Sequence, residues 1–261
     1  LQVASLVAME PPAKINPEEI RHEKLKVFRS FRPLNEEQLK NNIIRGQYTE
    51  AHVKGQLLKG YRDEEGVDKN SRTETYFAMK FFIDNWRWSG VPFYIRSGKR
   101  LPTRVSEIVI HFKPSPAQLF KSIDGVIESG NQLILRIQPD EGILLKTGLK
   151  VPGKGYEVKS VNVDLHYSDL GDEHLPDAYE RLILDCMMGD NTLFMSGEGA
   201  ELTWKFMQPV IDYWDSTLEA PLYGYPAGSW GPDTADQLID GTKTWRYHCK
   251  NLSDDGIYCE L

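Results

Sequence analysis

An α+β domain, with one large, mainly antiparallel sheet and helices covering one face, is the fold class this sequence predicts. Three observations predict it: a run of strand-length apolar alternations fills the middle of the chain, helical periodicity gathers at the two ends, and 11% of the residues are aromatic. At 261 residues the chain can bury a substantial core as one large domain or two small ones. The reading adopted is a single unit over residues 1–261.

The elements follow in order. Leu1, Ala4, Ser5 and Ala8 have helical spacing with no capping residue before them, so the chain is expected to begin inside a helix whose upstream part is missing. Asn16-Pro17-Glu18-Glu19 is a helix start, with Asn as cap and Pro in the first turn; Ile20, Val27, Phe28 and Phe31 share a face and Pro33 ends the helix. Gln38 to Asn70, rich in glycine and charge, reads as a mobile excursion over the surface. Thr73 to Ile83 reads as helix or strand by its apolar run, and its β-branched and aromatic content favours a strand buried on both faces, which would turn through Asn85–Gly90 into Phe93–Arg96 as an antiparallel hairpin. Further strands are predicted at Val105–Phe112, Gln132–Gln138, Gly142–Thr147 and Glu157–Tyr167. Leu182, Ile183, Leu184 and Met187 then mark a helix over Ala178–Met188, opened near Asp177 and stopped by Gly189. A second helix covers Glu198–Tyr213, with Leu202, Phe206, Val210, Ile211 and Tyr213 inward and a bend at Pro209. From Pro221 to Leu261 the chain is expected to be irregular, with a short helix near Asp233–Ile239.

Composition excludes several classes of function. A net charge of −7 disfavours nucleic acid, which needs a basic face. No apolar run is long enough to span a bilayer and no secretory signal is visible. Cys186, Cys249 and Cys259 are an odd set without C-x-x-C spacing; they predict buried small hydrophobes or inert thiols in a reducing cytoplasm. The six histidines show no metal-ligand spacing, and no G-x-S-x-G elbow is present. Gly197-Glu198-Gly199 lacks the third glycine and the preceding strand of a dinucleotide loop, and places carboxylates where a pyrophosphate would lie.

What remains is a cluster of cations. G-V-P-F-Y-I-R-S-G-K-R-L-P-T-R, Gly90 to Arg104, carries Arg96, Lys99, Arg100 and Arg104 at a strand end. Such cations either grip an anion or keep a sheet edge solvated, and spacing alone leaves both readings open. Gln138, closing the strand in Arg136-Ile137-Gln138-Pro139, can offer donor and acceptor to a sugar hydroxyl or simply face water. Leu175-Pro176-Asp177-Ala178-Tyr179-Glu180-Arg181 reads either as a site or as a helix start whose charges orient neighbouring elements, and the structural role is favoured.

The residues also carry a family signature. The sequence resembles the C-terminal domain of glucose-6-phosphate dehydrogenase, through L-V-A-M-E-P-P (Leu6–Pro12), R-G-Q-Y (Arg45–Tyr48), N-W-R-W-S-G-V-P-F-Y-I-R-S-G-K-R-L (Asn85–Leu101), R-I-Q-P-D-E-G (Arg136–Gly142) and L-P-D-A-Y-E-R-L-I-L-D (Leu175–Asp185). The resemblance implies NADP-dependent oxidation of D-glucose 6-phosphate to 6-phosphoglucono-δ-lactone, the first step of the pentose phosphate pathway, in the cytoplasm. It implies a homodimer or tetramer assembled through the sheet, and substrate contacts at Lys99, Arg104 and Gln138, with Arg100 among the solvated charges. The family's nucleotide loop and its general-base histidine have no counterpart here; by the same alignment the base falls two residues before Leu1. NADP is therefore expected on a Rossmann domain outside this chain, and the chain alone is expected to be inactive. Arg96 and Arg136 match two contacts of the second, structural NADP of some members, but Val105 and Leu144 replace a lysine and a tyrosine, so no second NADP is expected. The alternative is a stand-alone phosphosugar-binding or assembly module without catalysis.

Overall fold

Residues 1–114, 116, 119–122, 130–139, 141–171, 178–217, 220–241 and 244–247 are described by a computed structural model of the chain. The leading helices form where their sequences dictate. α1 (Gln2–Ala8) has no side-chain cap and buries Ser5 and Ala8. α2 (Pro17–Arg29) is capped by Asn16, whose side-chain oxygen accepts the Glu19 N–H at 2.9 Å. Acidic residues occupy its first turn and Lys26 and Arg29 its last, each matching the helix dipole. It ends short of Pro33, because Phe31 already bridges Ile83 in the sheet.

The expected surface excursion over Gln38–Asn70 is corrected by the structure. α3 (Glu36–Asn41) opens on a reciprocal Asn35/Gln38 capping box, and β1 (Ile43–Thr49) is an interior strand buried along most of its length. β2 (Ala51–Val53) and β3 (Gln56–Leu58) add a short hairpin. What hides β1 in the sequence is that Arg45 and Gln47 are buried in it. The Arg45 guanidinium lies 5.1 Å from the Trp214 ring centroid and donates to the Ala220 and Pro221 carbonyls, while the Gln47 amide donates to Ser71 and Thr73 carbonyls. Buried polar groups survive when such partners satisfy them.

β4 (Tyr76–Phe82) and β5 (Pro92–Gly98) form the expected antiparallel hairpin. Alternation along β4 feeds two cores. Met79 and Phe81 pack with Val27, Phe28 and Phe31 of the leading helical segment and with Phe206 and Val210 further along the chain. Tyr76 and Ala78 pack on the opposite face with Tyr48, Tyr225, Ala227, Ala235 and Leu238. The tail, expected to be irregular, thus contributes a strand: β11 (Tyr223–Pro226) runs parallel to β1, giving a four-stranded sheet ordered β11-β1-β4-β5. A 3-10 helix at Asp233–Leu238 follows, close to the predicted position.

The remaining strands are β6 (Ser106–His111), β7 (Lys121–Ser122), β8 (Gln132–Gln138), β9 (Gly142–Lys150) and β10 (Glu157–His166). They form a five-stranded sheet ordered β6-β8-β9-β10-β7, antiparallel except for β10 with β7. The α+β class and the mainly antiparallel pairing are as expected, and the large sheet is divided in two by hydrogen bonding. β5 and β6 follow one another in the chain but do not pair, and the residues between them include a left-handed backbone at Arg100 (φ 53°).

Strand register lines up one face of the second sheet. Ile108, Leu135, Ile143 and Leu165 form one row across four strands, and Ile110, Leu133, Leu145 and Val163 the next. Leu165 is 57% exposed and Val163 47%, so nothing described here covers that edge of the face.

α4 (Ala178–Met188) and α5 (Gly197–Ser216) complete the fold. α5 packs Phe206 and Val210 inward as predicted, with the Ser196 hydroxyl accepting the Gly199 N–H at its start. The apolar stripe of α4 does not turn inward. Ile183, Leu184 and Met187 are exposed and only Asp185 is buried, held by Arg181 one turn earlier at 2.9 Å. Cys186 on the same helix is exposed; Cys249, Cys259 and the Leu175-Pro176-Asp177 segment lie outside the described residues.

Candidate functional site

The link from Lys99 to Val105 joins the two sheets, and its geometry begins with Tyr76. A Cβ on Gly98 would sit 2.8 Å from the Tyr76 ring, and one on Gly231 (φ +106°) only 2.2 Å from it. The ring is wedged between two glycines, so position 98 must lack a Cβ although β5 runs through it. Burial pushes the Tyr76 phenol up to about 12, so it stays neutral.

Tyr225 then fixes the backbone of Lys99. Its buried hydroxyl donates to the Lys99 carbonyl at 2.8 Å, and the Lys99 N–H donates to the Thr75 carbonyl at 2.8 Å. Thr75 Oγ1 lies 3.0 Å from the same hydroxyl and accepts the Tyr48 N–H at 2.9 Å, tying the link to β1. Burial raises Tyr225 to about 12 as well, keeping it a donor at neutral pH.

The four cations of the segment separate by what holds them. Arg96 is enclosed by aromatic rings: its guanidinium lies 4.9 Å from the Trp245 and Tyr247 centroids and 5.0 Å from Trp230, and Nη2 donates to the Arg246 carbonyl at 2.6 Å. Arg100, expected among the solvated charges, is instead paired. Its guanidinium meets Glu64 at 3.0 Å, Glu64 also accepts from the Tyr48 hydroxyl at 3.1 Å, and the Gly228 N–H donates to the Arg100 carbonyl at 2.7 Å. Arg100, then Tyr48, hold the Glu64 carboxyl below its ordinary range. Lys99 and Arg104 are exposed, and among the described residues neither side chain has a hydrogen-bond or ion-pair partner. A cation on a fixed backbone with its donors unspent is what anion binding requires.

Gln138 is exposed at the end of β8, where it pairs with Ser106; Arg104 lies two residues before Ser106. The fold therefore brings Arg104 and Gln138 to one end of the β6–β8 ladder and sets Lys99 at the far end of the link. Sequence reasoning missed Glu64, Thr75 and Tyr225, which carry no motif. The aromatic enclosure of Arg96 had a faint signal in the Trp-rich tail.

The glycine pair weighed as a dinucleotide loop is used within the fold. Gly197-Glu198-Gly199 forms the first turn of α5, with Glu198 paired to Arg29 and Gly199 packed so that an added Cβ would meet Phe28 at 3.3 Å. Arg96 and Arg136 are both engaged by the chain itself, Arg136 by Asp164. No cluster of His, Cys, Asp and Glu suited to a metal occurs among the described residues, and no described helix is long and apolar enough to cross a membrane.

Two sheets joined by a link that presents exposed, unpaired cations define an α+β domain with a candidate anion site. Comparison with known proteins gives the family. The family model for the glucose-6-phosphate dehydrogenase C-terminal domain matches residues 1–246, and the chain belongs to that family. It is 46% identical to the glucose-6-phosphate 1-dehydrogenase of Treponema pallidum, covering 100% of this chain and 51% of that protein. The corresponding enzyme of Aggregatibacter actinomycetemcomitans is 49% identical over 94% of this chain and 49% of its own length. Among solved structures, a glucose-6-phosphate dehydrogenase in complex with its substrate glucose-6-phosphate superposes with a TM-score of 0.81 at 33% identity, covering 94% of this chain and 49% of that one. The Mycobacterium avium enzyme superposes at 0.76 and 35% identity, covering 94% and 48%. The chain thus spans about half the length of the relatives it matches.

Proposed function

We propose that this chain is the substrate-binding and assembly half of an NADP-dependent glucose-6-phosphate 1-dehydrogenase, acting in the cytoplasm. Lys99 and Arg104 grip the phosphosugar dianion with charge-assisted bonds, and Gln138 contacts a sugar hydroxyl. The observation that carries this is the sorting of the cations: Arg96 and Arg100 are engaged within the chain, and Lys99 and Arg104 are the two in the segment left to hold a ligand. The nicotinamide cofactor, and the base that takes the C1 hydroxyl proton, belong to sequence outside this chain; the half-length coverage of the relatives supports that division.

The test is steady-state kinetics of the full-length protein carrying this sequence. Lys99→Ala should raise KM for glucose 6-phosphate by about 10- to 150-fold, the value of a charge-assisted hydrogen bond of about 1.5–3 kcal/mol. Unchanged KM in both Lys99→Ala and Arg104→Ala would remove the assignment.

Assembly as a homodimer belongs to the same reading. The Ile108 and Ile110 rows make an apolar face whose β10 end is open to solvent, and burying such a face against its own copy is the simplest closed solution.

A further inference from the structure

The two edges flanking the cation-bearing link, β5 and β6, share no backbone hydrogen bonds, so something else must set their separation. The described residues near the C-terminus do so. Asp240 anchors them to the first sheet: its carboxylate accepts from Lys80 and from the Tyr94 hydroxyl, and the Trp245 indole donates to the Ala235 carbonyl at 2.9 Å. Arg246 then holds both edges at once. Its carbonyl accepts from Arg96 of β5 at 2.6 Å, and its guanidinium meets Glu107 of β6 at 2.6 Å, with Glu107 only 11% exposed at the side chain.

Arg96 stands three residues before Lys99, and Glu107 three residues after Arg104. We infer that Arg246 is a positioning residue for the phosphosugar site, a clamp from the C-terminal segment that fixes the spacing of Lys99 and Arg104 without touching the ligand. The inference rests on the substrate reading given above. It also explains why Arg96, in the midst of an anion-binding segment, is walled in by Trp230, Trp245 and Tyr247: it serves the clamp, and its charge is spent on rings and a carbonyl.

Arg246→Met cuts only the β6 half of the clamp, since Arg96 bonds the backbone carbonyl. Glu107→Gln cuts the same half from the other side. In the full-length protein both should raise KM for glucose 6-phosphate by about tenfold, as a small misplacement of binding groups does, with kcat changed by less than about twofold. Arg246→Lys, which keeps a cation beside Glu107, should recover most of the loss. Amide exchange over residues 96–107 should quicken by about tenfold in Arg246→Met while α2 stays at the wild-type rate. Unchanged exchange over 96–107 overturns the clamp whatever the activity. So does a KM that rises in Lys99→Ala and stays at wild type in both clamp variants. If exchange quickens but both Lys99→Ala and Arg104→Ala leave KM unaltered, the clamp stands and the substrate reading falls.

Discussion

The two sheets of this domain are covered in opposite ways. The four-stranded sheet is sealed on both faces, by α2 and α5 on one side and the C-terminal segment on the other, and Ala78, Met79, Phe81 and Tyr76 of its β4 are at most 1% exposed. The five-stranded sheet buries Ile134 completely yet leaves Leu149, Val163 and Leu165 about half in solvent. The first sheet is a foundation and the second is a surface. The cation-bearing link runs from one to the other, so its backbone is tied down at Lys99 and leads into the sheet with the open face.

Stability should split along that line. Phe81→Ala removes a ring that contacts Phe31, Phe93 and Phe206, and should cost about 3–5 kcal/mol in chemical denaturation. Leu165→Ala should change monomer stability by no more than about 0.5 kcal/mol. Equal losses would erase the distinction between the sheets. The converse experiment places charge on the open face: Val163→Glu with Leu165→Glu should shift sedimentation from dimer to monomer and leave the fold intact. Tyr225→Phe tests the junction itself. It deletes the donor to the Lys99 carbonyl and should cost about 0.5–1.5 kcal/mol, with KM for glucose 6-phosphate raised in the full-length protein.

Alkaline titration gives a subtler contrast. Tyr76, Tyr94 and Tyr225 are all raised to about 12, first by burial, and all pack in the first sheet. A phenol whose folded pKa exceeds its unfolded value of about 10 contributes stability fully below pH 10 and loses it as pH rises toward 12. Unfolding followed by circular dichroism should therefore steepen between about pH 10 and 12, and Tyr225→Phe should flatten part of that slope. The smallest effect is expected in acid. Asp240 is held below its usual value of 3.8, first by Lys80, so its contribution is present above 3.8 and fades as pH falls through its folded value. Acid unfolding followed by tryptophan fluorescence should show that loss, and Asp240→Asn should abolish it.

Much of the architecture was legible because periodicity records burial. The β4–β5 hairpin, β8 at Gln132–Gln138 and the inward face of α5 lie where alternation or helical spacing places them. β1 was missed because Arg45 and Gln47 are buried by partners in distant segments, and β11 because a short strand with Gly224 and Pro226 pairs, among the described strands, with β1 alone. α4 misleads in the other direction: its apolar stripe is real, but the described structure supplies nothing to bury it.

By itself the sequence determined the fold class, the order of most elements and the family, since local periodicity and long motifs are properties of consecutive residues. Through the family signature it named Lys99, Arg104 and Gln138 as expected contacts and set Arg100 among the solvated charges, but it gave no partner for any of the four cations. Only the tertiary structure supplied those partners. Glu64, which takes Arg100, lies 36 residues away, and the Arg246 carbonyl that takes Arg96 lies 150 residues away. Whether a charge is spent or free depends on such partners, and folding alone brings them within hydrogen-bonding distance.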